Sequence, residues 1–231
     1  MNGDKFKPTR QVSYEELRQE FQPGDAVFYG PLPFSAIDSL PAIGGYLSNQ
    51  GIRAVQFLGA DHRRLNNYIH GELLVPMVMG GSERWLLAGF TNKRNVAGGG
   101  LDINAASWRT TKYAGDVLYM PIRDELRAGL TDKRLVELID KTFGIEYGWE
   151  NLFSAESRLA VGGTTPHPYC TSWIARLYIT SHVINCREFC FTNGKPGKRN
   201  LSDMNVSPKD LLQSFSYIWN DDRAAVVKPG V

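Results

Sequence analysis

The chain has 231 residues, of which 42% are hydrophobic, 22% charged and 11% aromatic. This composition is typical of a folded globular protein and excludes a disordered segment, a collagen-like repeat and a coiled coil. The 26 lysines and arginines nearly balance the 24 aspartates and glutamates, and a net charge of +2 supplies no field that attracts a polyanion. We therefore expect no nucleic-acid partner. No stretch approaches the ~18 consecutive apolar residues of a membrane-spanning helix, so we expect no membrane span.

The first predicted element is a short N-terminal helix. Ser13 and Glu16 have the spacing of a capping box, in which a hydroxyl and a carboxylate satisfy each other's free amides. We expect a helix from about Tyr14 to Phe21, followed by a proline–glycine turn. Residues 1–22 would then form an arm that contains this helix, and 23–231 would form a single domain.

Apolar runs predict several strands. Residues 25–29 favour a strand, and the runs 73–79 and 85–90 flank a Gly-Gly-Ser-Glu turn, as in a β-hairpin. Residues 116–122 favour a further strand. The stretch 91–107 contains three consecutive glycines and is expected to be a loop.

Later segments have the apolar spacing of helices. One helix is expected after Thr131 with Gly144 as its left-handed stop, a second near Cys170, and a third after Ser207 and its proline. Residues 216–227 can form one or two final strands. The elements together predict an α+β domain with an antiparallel sheet.

The cysteine content favours reduced thiols. The three cysteines, Cys170, Cys186 and Cys190, are an odd number and have no framework spacing, which does not fit a disulfide scaffold. The N-terminal residues are charged from Asp4 onward and contain no apolar segment of a signal peptide. The sequence therefore predicts a cytoplasmic protein, and delivery to a cell wall or a virus particle would need a separate route.

Cys170 is the candidate nucleophile. It lies at the start of a predicted helix, where free backbone amides and the helix dipole favour the thiolate over the thiol. The same amides can form part of an oxyanion hole. The alternative is that Cys170 is a small buried apolar residue. If it is a nucleophile, we expect it to be the most reactive of the three thiols.

A cysteine nucleophile needs a base, and four histidines are candidates. His62 lies among charged residues, and His167 lies on a proline-flanked turn just before the cysteine. His182 lies a helix length beyond the cysteine. His70 begins a predicted strand, a rigid element that can hold a base against the start of a helix, so it is the best placed.

A metal site is a weaker interpretation of the same region. His182, Cys186 and Cys190 are spaced four residues apart, but the set lacks a fourth ligand and the paired Cys-x-x-Cys spacing of a zinc site. We therefore expect no metal, and the sequence indicates no cofactor.

The order of the sequence motifs resembles that of a known superfamily. Six motifs follow one another: Gly24-Asp25, His70, Gly115-Asp116-Val117, Gly144–Gly148, Tyr169-Cys170-Thr171-Ser172 and Val206–Leu211. This order resembles the circularly permuted papain-like cysteine peptidases and amidases of the NlpC type, in particular the YiiX-like group. The resemblance spans roughly 23–217. It implies a permuted papain-like fold, with an antiparallel sheet packed against a few helices.

The resemblance implies that Cys170 is the nucleophile and His70 its base. The family usually has a carboxylate at the end of the second hairpin strand to orient the histidine, whereas residues 86–91 of this chain contain none. Glu72 shares a strand face with His70 because side chains alternate along a strand. The alternatives for the orienting role are Glu72, Thr91 and Asn92. The candidate substrate-binding residues are Tyr169, Thr91 and Asn92.

Two classes of function follow from the resemblance. The first is a cysteine hydrolase that cleaves an amide, with a peptidoglycan peptide as the first candidate substrate. An acyl substrate, or an acyltransferase that uses the same cysteine, is a variant of this class. The second class is a catalytically degenerate domain that acts as a structural or assembly component, for example in a phage particle. The missing carboxylate after Leu87 supports the second class, and contact between Cys170 and His70 would support the first.

Overall fold

A seven-stranded β-sheet organises the part of the chain that the structure describes. The computed structural model describes residues 10–33, 68–79, 82–91, 100–148, 169–184, 191–192, 195–196, 206, 208, 211–212 and 216–227. The strands of the sheet are β1 (Arg10–Val12), β2 (Ala26–Tyr29), β3 (His70–Met79), β4 (Ser82–Thr91), β5 (Gly100–Ala105), β6 (Val117–Met120) and β9 (Ala225–Val227). Two further strands, β7 (Phe191–Thr192) and β8 (Lys195–Pro196), pair only with each other among the described residues.

The spatial order of the sheet is β1-β9-β6-β2-β3-β4-β5. All neighbouring strands are antiparallel except β1 and β9, which run parallel. The predicted α+β class is therefore confirmed, but the sheet is mixed rather than antiparallel throughout. Residues 10–12 of the predicted N-terminal arm form its edge strand.

The helices lie between and beside these strands. They are α1 (Tyr14–Leu17), α2 (Ala106–Lys112), α3 (Asp132–Thr142) and α4 (Cys170–Thr180), with 3-10 turns at Asp124–Gly129 and Ser216–Ile218. Within the described ranges, none of these helices has the length and apolar character needed to cross a bilayer.

The capping box at the start of α1 is confirmed, but the helix is shorter than expected. The Ser13 hydroxyl accepts the Glu16 N–H at 3.3 Å, and the Glu16 carboxylate accepts the Ser13 N–H at 2.9 Å. The helix ends at Leu17 rather than near Phe21. Tertiary packing explains this difference. The turn after Leu17 brings the Phe21 ring edge-on to the Trp85 ring, with 5.7 Å between the ring centres.

The expectation of a loop over 91–107 is wrong for the residues of that range that the structure describes, 91 and 100–107. Strand β5 pairs with β4 from Gly100 opposite Thr91 to Ala105 opposite Leu86, and α2 follows at once. Gly100 has a φ of 144°, which its lack of a Cβ permits, and Leu101 is buried in the core. Pairing with β4 therefore decides the conformation, whereas the local glycine content suggested a loop.

The later helices begin where the sequence predicts. The Thr131 hydroxyl accepts the Arg134 N–H at 3.2 Å at the start of α3, and Gly144 after its end has a φ of 78°. Helix α4 begins at Cys170. Of the helix expected after Ser207, the described residues are buried, and they are Pro208, Leu211 and Leu212.

The two faces of the sheet carry different partners. Leu73 of β3 belongs to a core that includes Trp173 of α4, whereas Leu74 belongs to a second cluster that includes residues of α1 and α2. Side chains alternate along a strand, so Gly71 lies on the α4 face and Glu72 on the α2 face. Strand β3 thus separates the two helices that contribute to the candidate site.

Asp25 ties the start of β2 to the turn at Asp124–Gly129. Its carboxylate is fully buried and accepts the Tyr119 hydroxyl at 2.6 Å and the Ile122 N–H at 3.0 Å. It also forms an ion pair with Arg127. Burial raises the pKa of Asp25, and the Arg127 guanidinium opposes that rise. Asp25 therefore has a structural role, in which it fixes the strand next to β3.

Candidate active site

Cys170 is the first residue of α4, and local hydrogen bonds hold that helix start in place. The Tyr169 N–H donates to the Ser172 hydroxyl oxygen at 2.8 Å, and the Thr171 hydroxyl donates to the Val206 carbonyl at 2.6 Å. The cysteine is only 1% exposed. Its sulfur therefore lies at a fixed helix N-terminus, where unpaired backbone amides favour a negative charge.

The surroundings of Cys170 favour its thiolate. Burial alone would raise the pKa of this thiol, but the adjacent His70 imidazolium, with the Gly71 and Thr171 N–H groups that donate to the sulfur, lowers it. The structure thus places Cys170 and His70 in hydrogen-bond contact. The lowered pKa is that of a reactive cysteine, whereas the burial of the side chain is typical of a structural one.

Gly71 allows α4 to approach β3 closely enough for this contact. A Cβ at this position would lie 3.1 Å from Ile174 Cδ1 and 3.2 Å from Phe28 Cε1. An added Cβ would be tight, so the Ile174 side chain or the Phe28 ring would have to shift. The pair His70-Gly71 therefore supplies both the base and the space for the helix.

His70 lies between the cysteine and a carboxylate. Its Nε2 is 3.2 Å from Glu72 Oε1, which leaves Nδ1 as the nitrogen available to Cys170. Burial favours the neutral ring, but the thiolate and Glu72 outweigh burial and raise the pKa of His70 to about 9. The imidazole is therefore expected to be protonated at neutral pH, with 17% of its side chain exposed.

Glu72 is the carboxylate that contacts the histidine. It is 1% exposed, accepts the Tyr29 hydroxyl at 2.6 Å and forms an ion pair with Arg109 at 3.0 Å. Burial would raise the pKa of Glu72, but the hydrogen bond from His70, the Arg109 charge and the Tyr29 hydroxyl lower it to about 2. Of the three alternatives for the orienting role, Glu72 is the one that the structure shows in contact with His70.

The two shifted pKa values have opposite consequences for stability. The contribution of His70 is fully present below its ordinary pKa of 6.5 and is lost as pH rises through about 9. The contribution of Glu72 is present above its ordinary pKa of 4.5 and is lost as pH falls through about 2. The contributions of His70 and Glu72 are therefore both fully present between these two ordinary values.

Gly89 of β4 makes room for Glu72. A Cβ at position 89 would lie 2.6 Å from Glu72 Cγ, which is closer than two non-bonded carbon atoms approach. Position 89 must therefore lack a side chain for the carboxylate to keep its present place.

We expect Gly89→Ala to displace Glu72 and to slow alkylation of Cys170 by iodoacetamide about tenfold or more at about pH 6. A stability loss of about 1–3 kcal/mol should accompany it, as for other overpacked sites. Gly144→Ala is the control, because its φ of 78° makes it strained while nothing lies within 4 Å of an added Cβ. It should lower the thermal midpoint and leave alkylation unchanged. Unchanged alkylation in Gly89→Ala would contradict the role given to Gly89.

The other candidate residues lie at different distances from this constellation. Thr91 is buried at the end of β4, where it pairs with Gly100, and Tyr169 is fully buried beside Cys170. Their roles in substrate binding stay predictions. Asn92 lies outside the described residues.

The remaining histidines and cysteines do not join the site in the described part of the chain. His182 is exposed in the turn after α4, at the opposite end of the helix from Cys170. His62, His167, Cys186 and Cys190 lie outside the described residues. Among the residues that are described, no group of three or more histidine, cysteine, aspartate or glutamate side chains is arranged to hold a metal ion.

Sequence reasoning missed Tyr29 and Arg109. Arg109 lies in a helix that the sequence analysis does not predict, because the stretch before it is expected to be a loop. Nothing in the sequence therefore predicts that Arg109 packs against the sheet. Tyr29 lies in the predicted strand, but its sequence context indicates only an aromatic residue of the core and not a hydrogen-bond donor to Glu72. The one sequence signal was the presence of Glu72 two residues after His70, since a buried carboxylate requires hydrogen-bond donors around it.

No protein-family model matches this chain, and no curated protein matches it either. The resemblance therefore depends on the six motifs alone.

Proposed function

We propose that this chain is a cysteine hydrolase that cleaves an amide bond through a covalent acyl-enzyme. Cys170 is the nucleophile, His70 the acid and base, and Glu72 the residue that orients His70. The observation that carries the proposal is the continuous contact from sulfur to imidazole to buried carboxylate. The three groups have the roles of a catalytic triad, in which the third residue fixes the tautomer and angle of the imidazole.

The proposed reaction needs no group beyond these residues, the substrate and water. The Cys170 thiolate attacks the amide carbonyl carbon, forming a C–S bond and a tetrahedral oxyanion. Amides at the start of α4 without an intrahelical acceptor are the donors available to that oxyanion. His70 then gives its proton to the leaving nitrogen as the C–N bond breaks, and a thioester remains.

Hydrolysis of the thioester completes the cycle. Neutral His70 takes a proton from water as the water oxygen attacks the thioester carbonyl. Collapse of the second tetrahedral species releases the carboxylic acid and the Cys170 thiolate, and His70 is again an imidazolium. An acyltransferase would differ only here, with an amine or alcohol in place of water.

The substrate is a peptide or another acyl compound. The motif order favours a peptidoglycan peptide, as in the group that the chain resembles. Association with a larger assembly, such as a phage particle, would be one route by which such an enzyme meets its substrate. The described contacts at Cys170 support acyl chemistry and do not select among these acyl donors.

The alternative of a degenerate scaffold has lost its main support. That interpretation was based on the missing carboxylate at the end of the second hairpin strand. Glu72 supplies a carboxylate from the first hairpin strand instead, at 3.2 Å from His70 Nε2. The site therefore has a group in each of the three roles that the hydrolase proposal requires.

The pH dependence of amide cleavage tests the proposal. Because the pKa of His70 is raised to about 9, wild-type turnover should fall as pH rises through that value and the leaving nitrogen loses its proton donor. Glu72→Gln removes one cause of the raised pKa, so this alkaline limb should move down by about one unit or more, with a lower rate at its plateau.

A carboxylate outside the site provides the matched control. Glu20 pairs with Arg10 on the N-terminal side of the fold, and its side chain is 30% exposed. Glu20→Gln should leave the alkaline limb where the wild type has it. An alkaline limb that does not respond to Glu72→Gln would contradict the orienting role of Glu72.

A further inference from the structure

Arg109 forms both hydrogen bonds and an ion pair with Glu72. Its Nε lies 3.1 Å from Glu72 Oε1 and 3.3 Å from Oε2, and its Nη2 lies 3.0 Å from Oε1. Its Cζ lies 5.0 Å from the centre of the Tyr29 ring. Only 15% of the Arg109 side chain is exposed. The guanidinium is therefore clamped between an aromatic face and the carboxylate.

We propose that Arg109 is a positioning residue, whose guanidinium fixes the plane and the charge of Glu72 so that Oε1 faces His70 Nε2 and keeps the imidazolium against Cys170. This inference rests on the proposed function, because it gives Arg109 a role through the same three groups. It adds a fourth residue from a different element, α2, on the opposite face of the sheet from α4.

The energetic reason is that a buried carboxylate does not stay charged by itself. An isolated buried carboxyl takes up a proton, since the charged form is strongly disfavoured in a nonpolar environment. A protonated Glu72 would be a poorer acceptor for the imidazolium. The Arg109 charge prevents this, and its planar fork also fixes the carboxylate plane, which the point charge of a lysine does not.

The groups that face this carboxylate or its partners come from several elements. Those described are Tyr29 of β2, His70 of β3, Asp102 of β5, Arg109 of α2, Tyr113 after α2 and Cys170 of α4. Of these, Arg109 alone is a cation that keeps its charge at every working pH. Its effect on Glu72 is therefore constant while His70 and Cys170 titrate.

The test is the rate of Cys170 alkylation by iodoacetamide, followed from about pH 4 to 10 by mass spectrometry of the Cys170 peptide. Arg109→Met should be alkylated about tenfold more slowly than the wild type at about pH 6, with its acid limb at higher pH. Arg109→Lys keeps the positive charge but loses the planar guanidinium fork. Its alkylation rate should therefore lie between those of the wild type and Arg109→Met.

Arg127→Met is a closely matched control. Arg127 is also 15% exposed and also pairs with a buried carboxylate, that of Asp25, but the pair makes no described contact with Cys170 or His70. Both methionine variants should lower the thermal midpoint. Only Arg109→Met should change the alkylation profile, and equal profile changes in the two variants would overturn the proposal.

The Glu72→Gln background distinguishes an effect of Arg109 that acts through Glu72 from a direct effect of Arg109 on Cys170. There, Arg109→Met should change the alkylation rate by less than about twofold, because the group it positions has been neutralised. A full further loss would overturn the proposal. If Arg109→Met does not fold, Arg109→Lys decides, and a wild-type profile in that variant overturns it.

Alkylation reports the thiolate and not turnover. A wild type that is alkylated as expected but cleaves no amide would overturn the proposed function and leave the positioning role of Arg109 intact. The two failures are therefore distinguishable.

Discussion

Cys170→Ala is expected to reduce amide hydrolysis by a factor of about 10⁴ or more, because removing a nucleophile leaves only the contribution of binding and oxyanion stabilisation. The thermal midpoint should stay within a few degrees of the wild-type value, since a single small side chain at a helix start is lost. Turnover of peptidoglycan fragments, model amides and acyl esters by the two proteins, with matched thermal melts, measures both quantities.

Glu72→Gln should lie between the wild type and Cys170→Ala, since nucleophile and base remain in place. If the wild type and Cys170→Ala are equally inactive on all three substrate types while both are folded, the degenerate-scaffold interpretation becomes the better one. Equal activity of the two proteins would instead show that the measured hydrolysis does not use this cysteine.

Asp25→Ala is expected to cause a large loss of stability. The change removes a fully buried carboxylate, so that Arg127 keeps only exposed Asp124 and backbone carbonyls as acceptors and the Tyr119 hydroxyl keeps only the Glu20 carbonyl. Breaking a buried ion pair in this way costs about 3–5 kcal/mol. For a chain of this size, that corresponds to a fall in the thermal midpoint of about 6–20 °C.

The double variant tests the physical reason for that loss. In the Asp25→Ala background, Arg127→Met should cost little more and can recover some stability, because it removes a mostly buried guanidinium that has lost its buried carboxylate partner. Fully additive losses in a denaturant titration would show that Asp25 and Arg127 stabilise the fold independently, contrary to this account.

The positions of the proposed nucleophile and base can be predicted from the sequence because each of these two residues begins a regular element. Cys170 precedes an apolar helical stripe, and His70 precedes an apolar strand, so both could be placed at an end of an element before any contact was known. Glu72 was one of three alternatives, because strand alternation puts it on the same side as His70 but does not show which carboxylate or polar group is in reach.

The residues that complete the site depend on long-range contacts. Arg109 reaches Glu72 only because β5 and α2 follow β4 back along the sheet, where local glycine content had suggested a loop. The parallel pairing of β1 with β9 joins residues from opposite ends of the chain, and no local pattern encodes it. Element types follow from local periodicity, whereas strand neighbours follow from the burial that the whole sheet achieves.

The most direct test of the proposed chemistry is to trap the acyl-enzyme. Wild-type protein is mixed with a p-nitrophenyl acyl ester, quenched in acid and digested for peptide mass mapping. The proposal predicts a burst of p-nitrophenolate and an acyl group on the Cys170 peptide, which hydroxylamine removes as expected for a thioester. Cys170→Ala should show neither signal. An acyl group on another residue of the folded wild type, or no burst and no adduct, would contradict Cys170 as the nucleophile.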